Sequence, residues 1–274
     1  MKFAKVLIRN SLLLSSCLLA APLAARADEV RYVKHADQAL SAFFSVISEA
    51  RETIDLTTFI LEPCHASTGA MLEALSQKAR GGVKVRVLLD SFMQEGDQRG
   101  YLARYFAANG IEFRWYNHAK KFDPGQNMRT HVKLLLADGN RYISGGRNWA
   151  DDYFGTYRGI NFTDSDLLVK GASGREAKAS FNEMWNSKQS SLPTELSAPF
   201  SSWGRVCAVD ETKRLEAVKK FVSANGARLF ATMPARACAS VSFVTDSPLF
   251  TDPRLTGGID RRWDNYMGTM RLGY

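Results

Sequence analysis

The run His131-Val132-Lys133-Leu134-Leu135-Leu136-Ala137-Asp138, followed by Gly145-Gly146-Arg147-Asn148, collects side chains suited to phosphate chemistry. Side chains alternate along a strand, so His131 and Lys133 project from one face while Val132, Leu134 and Leu136 occupy the other. An imidazole and an ammonium then emerge side by side. Six residues separate Asp138 from the paired glycines, which free the backbone to approach a ligand closely, and Asn148 adds an amide donor. Lys133, the amides of Gly145 and Gly146, and Asn148 would surround phosphate oxygens with donors, while an imidazole nitrogen of His131 reaches phosphorus.

The elements that must position these groups can be read from periodicity. Leu40, Phe43 and Ile47 share one face of a helix over 37–50. Residues 54–60 alternate as a strand. Thr68 is placed to cap a helix that presents Met71, Leu72, Leu75 and Ala79 and stops at Gly81-Gly82, where a left-handed residue is wanted. Val83 to Leu89 reads as a buried strand ending at Asp90, followed by a helix around 101–108, a Gly110 stop and a strand over 111–116. Strands alternating with helices at these lengths predict an α/β fold: a mixed, mainly parallel sheet flanked by helices. A strand from His131 to Ala137 turns at Asp138-Gly139 into a second at 141–144, a hairpin. A strand over 166–170 and an amphipathic helix over 175–185 complete this unit. Past residue 190, serines and prolines make a linker-like stretch before a helix around 211–224 and a strand at 241–245.

The first run is similar to the HKD motif of the phospholipase D superfamily, H-x-K-x4-D-x6-G-[SG]-x-N. From ordinary residue usage, the fixed positions after a given histidine match by chance on the order of one time in 10⁵. His118-Ala119-Lys120 starts the same way, but Gly125 stands where the aspartate should be. The resemblance extends to Gly145-Gly-Arg-Asn-Trp-Ala-Asp-Asp-Tyr-Phe154, similar to a GGRN…DEYF segment of bacterial members close to cardiolipin synthases. Asp164-Ser-Asp-Leu-Leu-Val-Lys-Gly171 with Phe181 and Trp185 resembles the D-x-D-V-L-x-x-G…F-x-x-x-W continuation. It implies that His131 forms a phosphohistidine, that Lys133 and Asn148 hold nonbridging oxygens, and that Asp164 bonds the second imidazole nitrogen. Asp138 belongs to the catalytic motif but is better placed to order its loop than to touch substrate. Gly146 stands where many members have serine, leaving only its backbone donor. No cofactor and no metal are implied. Among the neighbouring residues, Trp149, Tyr153 and Phe154 fit core packing better than a site entrance, as do Phe181 and Trp185, and Arg147 suits either phosphate binding or the surface.

The same resemblance implies two HKD motifs facing each other, one histidine attacking and the other protonating the leaving oxygen. One is present here, so the expectation is a homodimer, a missing C-terminal lobe or a lobe that only binds. Val241-Ser-Phe-Val-Thr-Asp-Ser-Pro248 resembles the opening strand of a second lobe. The expected organisation is a leader over 1–27, a lobe over 28–190, a linker and helix over 191–240, and the start of an incomplete second lobe over 241–274.

The formal charge of +8 invites a polyanionic partner. Much of it belongs to the first residues, where Lys2, Lys5 and Arg9 precede an apolar stretch that ends in Ala25-Arg26-Ala27, a signal-peptidase pattern. Removing that leader takes four basic and no acidic residues, and +8 becomes +4. The chain is therefore expected to be exported, periplasmic or membrane-associated, with Leu14-Ser-Ser-Cys17 as a rival lipobox. Cys64, Cys207 and Cys238 would remain, enough for one disulfide and one thiol; Cys207 with Cys238 is one pairing, which sequence does not decide. The expected partners are phospholipid and a membrane surface rather than nucleic acid. The expected activity is phosphodiester hydrolysis or phosphatidyl transfer; a secreted metal-independent nuclease and a noncatalytic phosphate-binding half-enzyme are the alternatives.

Overall fold

The structure, a computed structural model, describes residues 27–94, 96–117, 129–194, 209–238, 241–243 and 271–272. All but the last residue of the leader expected over 1–27, the His118-Ala-Lys120 run, Cys207 and the greater part of 241–274 lie outside them. In chain order the elements are β1 (Asp28–Val33), α1 (Ala36–Glu49), β2 (Thr53–Thr58), α2 (Ala66–Arg80), β3 (Lys84–Asp90), α3 (Gly96–Ala108), β4 (Glu112–Tyr116), β5 (Leu134–Ala137), β6 (Arg141–Gly145), β7 (Asp166–Lys170), α4 (Gly174–Asn186), β8 (Ser190–Ser191), α5 (Val209–Ala231), β9 (Ala235–Cys238), β10 (Val241–Ser242) and β11 (Arg271–Leu272). The first nine strands make one sheet in the order β8-β4-β3-β2-β5-β6-β7-β1-β9.

The α/β class and the mixed, helix-flanked sheet are as expected, but the parallel share is smaller. Only β2-β3 and β3-β4 are parallel, joined by the crossover helices α2 and α3. From β5 onward each new pairing is antiparallel, because the β5-β6 hairpin is added beside β2 with its direction reversed. Asp138 (φ 52°), Gly139 (φ 64°) and Asn140 make the hairpin connection, the first two in the left-handed region at the centre of the turn that the Asn140 N–H closes on the Ala137 carbonyl (3.2 Å).

Side-chain alternation divides the core between the two faces of the sheet. Val85, Val87, Leu89, Leu135 and Ile143 pack under α1, α2 and α3, where Leu40, Phe43, Ile47, Met71, Leu75 and Phe106 meet them. Leu88, Val132, Leu134, Leu136, Tyr142 and Val169 face α4, packing on Phe181, Met184 and Trp185. On that second face the buried Asp55 carboxylate joins Arg86 (2.7 Å) and Lys178 (2.5 Å), and the Arg86 guanidinium lies over the rings of Phe181 and Trp185.

Four local expectations are corrected. Helix α2 begins at Ala66, not at Thr68, because the buried Asp151 carboxylate from a distant loop accepts the N–H groups of Ala66 (3.2 Å) and Ser67 (2.8 Å). Strand β5 begins at Leu134, because Leu134 is the first residue with partners in both β2 and β6; His131 to Lys133 approach the ladder without belonging to it. Helix α5 packs on α1 and α2, and β9 pairs with β1, so residues 209–238 are part of the same body as 28–190. Val241 and Phe243 also sit in the core on the α4 side. Cys64 is disulfide-bonded and Cys238 is a free thiol, so Cys207 and Cys238 are not joined. Among the described residues no helix is long and apolar enough to cross a membrane.

Candidate active site

The C-terminal ends of β2, β3 and β4 and the N-terminal end of β5 reach the same edge of the sheet, since Thr57 pairs with Leu134. His131 and Lys133 stand there. Val132 is buried with Leu134 and Leu136 on the α4 side, so the expected alternation holds beyond the ladder and puts His131 and Lys133 on the other face. The imidazole lies on the ring of Phe59, just past β2, with centroids 4.1 Å apart and planes 36° apart. Lys133 Nζ donates to the His131 carbonyl (2.8 Å) and sits 5.8 Å from the Phe59 centroid. One aromatic ring thus carries both groups.

This environment sets their protonation. Burial, helped by the Lys133 charge, pushes the His131 imidazole down to about 4, so it is neutral at pH 7. Burial likewise lowers the Lys133 ammonium to about 8, opposed by the carboxylates of Asp164 and Asp166. At neutral pH the pair is an uncharged imidazole beside a cation, the combination needed to attack phosphorus while neutralising its oxygens.

The glycines turn out to serve the acids. A Cβ on Gly146 would run into the Asp164 carboxylate, and one on Gly145 would meet the Asp166 carboxylate and the Ser165 carbonyl. The Gly146 N–H, expected as a phosphate donor, donates to the Ser165 carbonyl (3.1 Å). Bare backbone here lets Asp164 close on the site. The Asp164 carboxylate accepts the Ser165 N–H (2.7 Å) and lies near enough to Lys133 to raise its pKa.

Asn148 is buried, with its carbonyl accepting the Ile60 N–H (3.1 Å) and an amide N–H donated to the Tyr153 hydroxyl (2.9 Å). Trp149 and Phe154 are core residues, packed on Phe43. Arg147 is neither a surface residue nor a phosphate clamp. It is 1% exposed, pairs with buried Asp166 at 2.6 Å, and donates to the carbonyls of Lys34 (2.8 Å), Tyr153 (3.1 Å) and Asp164 (2.5 Å). It fastens the Asp164-Asp166 segment and the start of α1 to the glycine loop. Burial raises the Asp166 carboxyl against the pull of that guanidinium.

Asp138 is elsewhere. It lies seven residues along an extended chain from His131, roughly 23 Å at ~3.3 Å per residue. There its carboxylate accepts the N–H groups of Arg51 (3.0 Å), Glu52 (2.8 Å) and Thr53 (2.9 Å), which hold its pKa down and fix the entry of β2. The structure therefore gathers Lys133, Asp164, Gly145 and Gly146 near His131, holds Asn148 on Ile60 beside Phe59, and leaves Asp138 as a structural clasp. Sequence reasoning missed Phe59 and the Arg147-Asp166 pair, and it read Tyr153 as core without its hydrogen bond to Asn148. The signal for that pair was available as the second acid of the Asp164-x-Asp166 run, an ionisable residue in an otherwise apolar strand.

Comparisons with known proteins fit this geometry. The family model described as "Cardiolipin synthase, PLD-like domain" matches residues 43–185. Cardiolipin synthase 1 of Bacillus anthracis is 30% identical over 179 residues, covering 62% of this chain and 34% of that protein. The cardiolipin synthase of Geobacillus kaustophilus is 29% identical over 163 residues, 58% of this chain and 32% of that one. The chain thus spans about a third of the length of the curated relatives it matches. Among solved structures, a phosphatidylserine synthase from Haemophilus influenzae superposes with a TM-score of 0.51 at 10% identity, over 72% of this chain and 44% of that one, a likeness of fold. The fold and the matched residues define a phospholipase D-like domain. The chain belongs to the cardiolipin synthase-like branch of the phospholipase D superfamily of phosphodiesterases.

Proposed function

We propose that this chain cleaves or transfers phosphodiesters of phospholipids through a covalent intermediate on His131. The observation that carries the reading is the His131 imidazole lying on the Phe59 ring with Lys133 Nζ bonded to the His131 carbonyl at the edge of the sheet, where burial favours the neutral imidazole. The cardiolipin synthase relatives support phospholipid as the substrate class. In this mechanism an imidazole nitrogen attacks phosphorus and the bond to the leaving alcohol breaks, giving a phosphohistidine. Lys133 neutralises the nonbridging oxygens as charge builds on them. The leaving oxygen takes a proton from a second histidine, supplied by another copy of the chain or by a further lobe. Water or an acceptor alcohol then displaces His131, releasing the acid or a new ester.

The test is to mix the protein with radiolabelled phosphatidylglycerol, quench, and look for an acid-labile, base-stable adduct on His131, alongside headgroup release. A wild-type protein that neither traps lipid phosphate nor turns over lipid sinks the reading. Cleavage of DNA in EDTA, lost in His131→Ala, with no lipid turnover, would replace it by the nuclease alternative. We place the reaction outside the cytoplasm, on the strength of the leader-like first 27 residues; cell fractionation that finds the protein in the cytosol would reject that location.

A further inference from the structure

Strand β3 ends on a carboxylate that is wholly buried. Asp90 has 0% exposure, and each of its oxygens holds a different part of the site edge. One oxygen accepts the Phe92 N–H (2.9 Å) and faces Arg129 Nη1 (3.3 Å); the other accepts the N–H of Thr130 (3.0 Å), the residue before His131. Arg129 continues to the Asn117 carbonyl (3.1 Å) at the end of β4 and lies over the Phe92 ring, 4.6 Å from its centroid. Thr130 passes the anchorage on, since its hydroxyl accepts the Val132 N–H (3.3 Å).

This matters because the His131 segment lies outside the ladder. Regular pairing begins at Leu134, so residues 129–133 depend on side-chain ties. Downstream, the Lys133 carbonyl accepts the Ser144 hydroxyl (2.7 Å). Upstream, Asp90 holds the main chain at Thr130, beside the bonds of Arg129 to the Asn117 carbonyl and of the Thr130 hydroxyl to Met184 Sδ.

We propose that Asp90 is a positioning residue for His131: its carboxylate fixes the main chain at Thr130 and thereby the place the imidazole takes on the Phe59 ring beside Lys133. The proposal rests on His131 being the nucleophile. Asp90 acts through the backbone and touches no substrate. Its charged neighbour is Arg129, and Tyr116 is its partner across the β3-β4 ladder. Burial raises its carboxyl to about 6 despite Arg129 and the two backbone donors. Protonation would neutralise the group and weaken its hold on both N–H groups and on Arg129.

The decisive variant is Asp90→Asn, which keeps shape but places an amide donor against an N–H or a guanidinium. The ring signals of His131 in NMR spectra should move while those of His35 and His65 stay. Turnover should fall roughly ten- to hundredfold with little change in KM, as expected when a reacting group is misplaced by about an ångström. The wild-type protein should lose activity as pH falls through about 6, and Asp90→Asn should lack that limb. Arg129→Gln is the second arm: without the cation, the limb should move to higher pH. A folded Asp90→Asn protein with unmoved His131 signals and full turnover overturns the proposal. If Asp90→Asn does not fold, a limb left in place by Arg129→Gln overturns it instead. A wild-type protein with no His131-dependent turnover would count against the catalytic reading, and the NMR arm would still decide the positioning.

Discussion

Replacing Arg147 with methionine should destabilise the lobe severely, although the residue contacts no substrate in the mechanism proposed. The guanidinium is 1% exposed and its partner Asp166 3% exposed, so Arg147→Met leaves a carboxylate in the core without its counter-charge. It also removes the donor for the carbonyls of Lys34, Tyr153 and Asp164. Breaking a buried ion pair by deleting one partner costs about 3–5 kcal/mol, a large part of the ~5–15 kcal/mol that holds an ordinary domain together. At ~2–4 °C per kcal/mol for a domain of this size, Tm should fall by roughly 6–20 °C. The sign of the pH dependence follows from Asp166, whose native carboxyl is already raised above its ordinary 3.8 by burial and would rise further without Arg147. The native state then binds a proton more tightly than the unfolded state, so the deficit is smallest in acid and grows as pH climbs through the native pKa. Urea unfolding at pH 4.5 and pH 7 measures both, and Arg147→Met/Asp166→Leu should recover part of the loss through the coupling of the pair. A loss below about 1 kcal/mol at pH 7, or one that ignores pH, would refute the role assigned to this pair.

The pH profile of turnover should be limited on the alkaline side near 8, where Lys133 loses its proton, and Lys133→Arg should abolish that limb in steady-state assays if it retains activity. Gly146→Ala should displace the Asp164 carboxylate, remove a charge that supports the Lys133 ammonium, and move the same limb below 8. Asp138→Ala should lower stability by about 1–2 kcal/mol in denaturant unfolding through lost charge-assisted hydrogen bonds, with turnover unchanged. Because its carboxyl is held below the usual range, that contribution is present at neutral pH and disappears as pH falls through the native value.

Much of the lobe was legible because its elements carry their own periodicity: α1 by Leu40, Phe43 and Ile47, β3 by its branched run, the hairpin by Asp138-Gly139. What sequence missed is made by distant partners. The start of α2 is set by Asp151, some 85 residues away, which no local capping rule finds. Strands β1 and β9 were missed because Asp28–Val33 abuts the leader-like stretch and Ala235–Cys238 is largely exposed, with little apolar alternation to mark it. Within the site, residue types and spacing located His131 and Lys133, and the resemblance pointed to Asp164. Gly145 and Gly146 were found for the wrong reason: a sequence cannot say whether bare backbone makes room for a ligand or for a carboxylate. The same blindness affects Asp138, whose place in a motif says nothing of which end of the strand the chemistry occupies.

The position of β1 also bears on how the molecule comes into being. Its residues pair with others from 133 positions downstream (Val33 with Asp166) to 210 (Asp28 with Cys238). A nascent chain therefore makes the strand that belongs between β7 and β9 long before either exists, and must keep it unpaired until residues 166–170 and 235–238 have followed. Closing loops of that length comes late and slowly, and an unpaired strand edge invites association with other chains in the meantime. The sheet cannot close around β1 before β7 and β9 are made, so the yield of folded protein should depend on how the waiting segment is shielded.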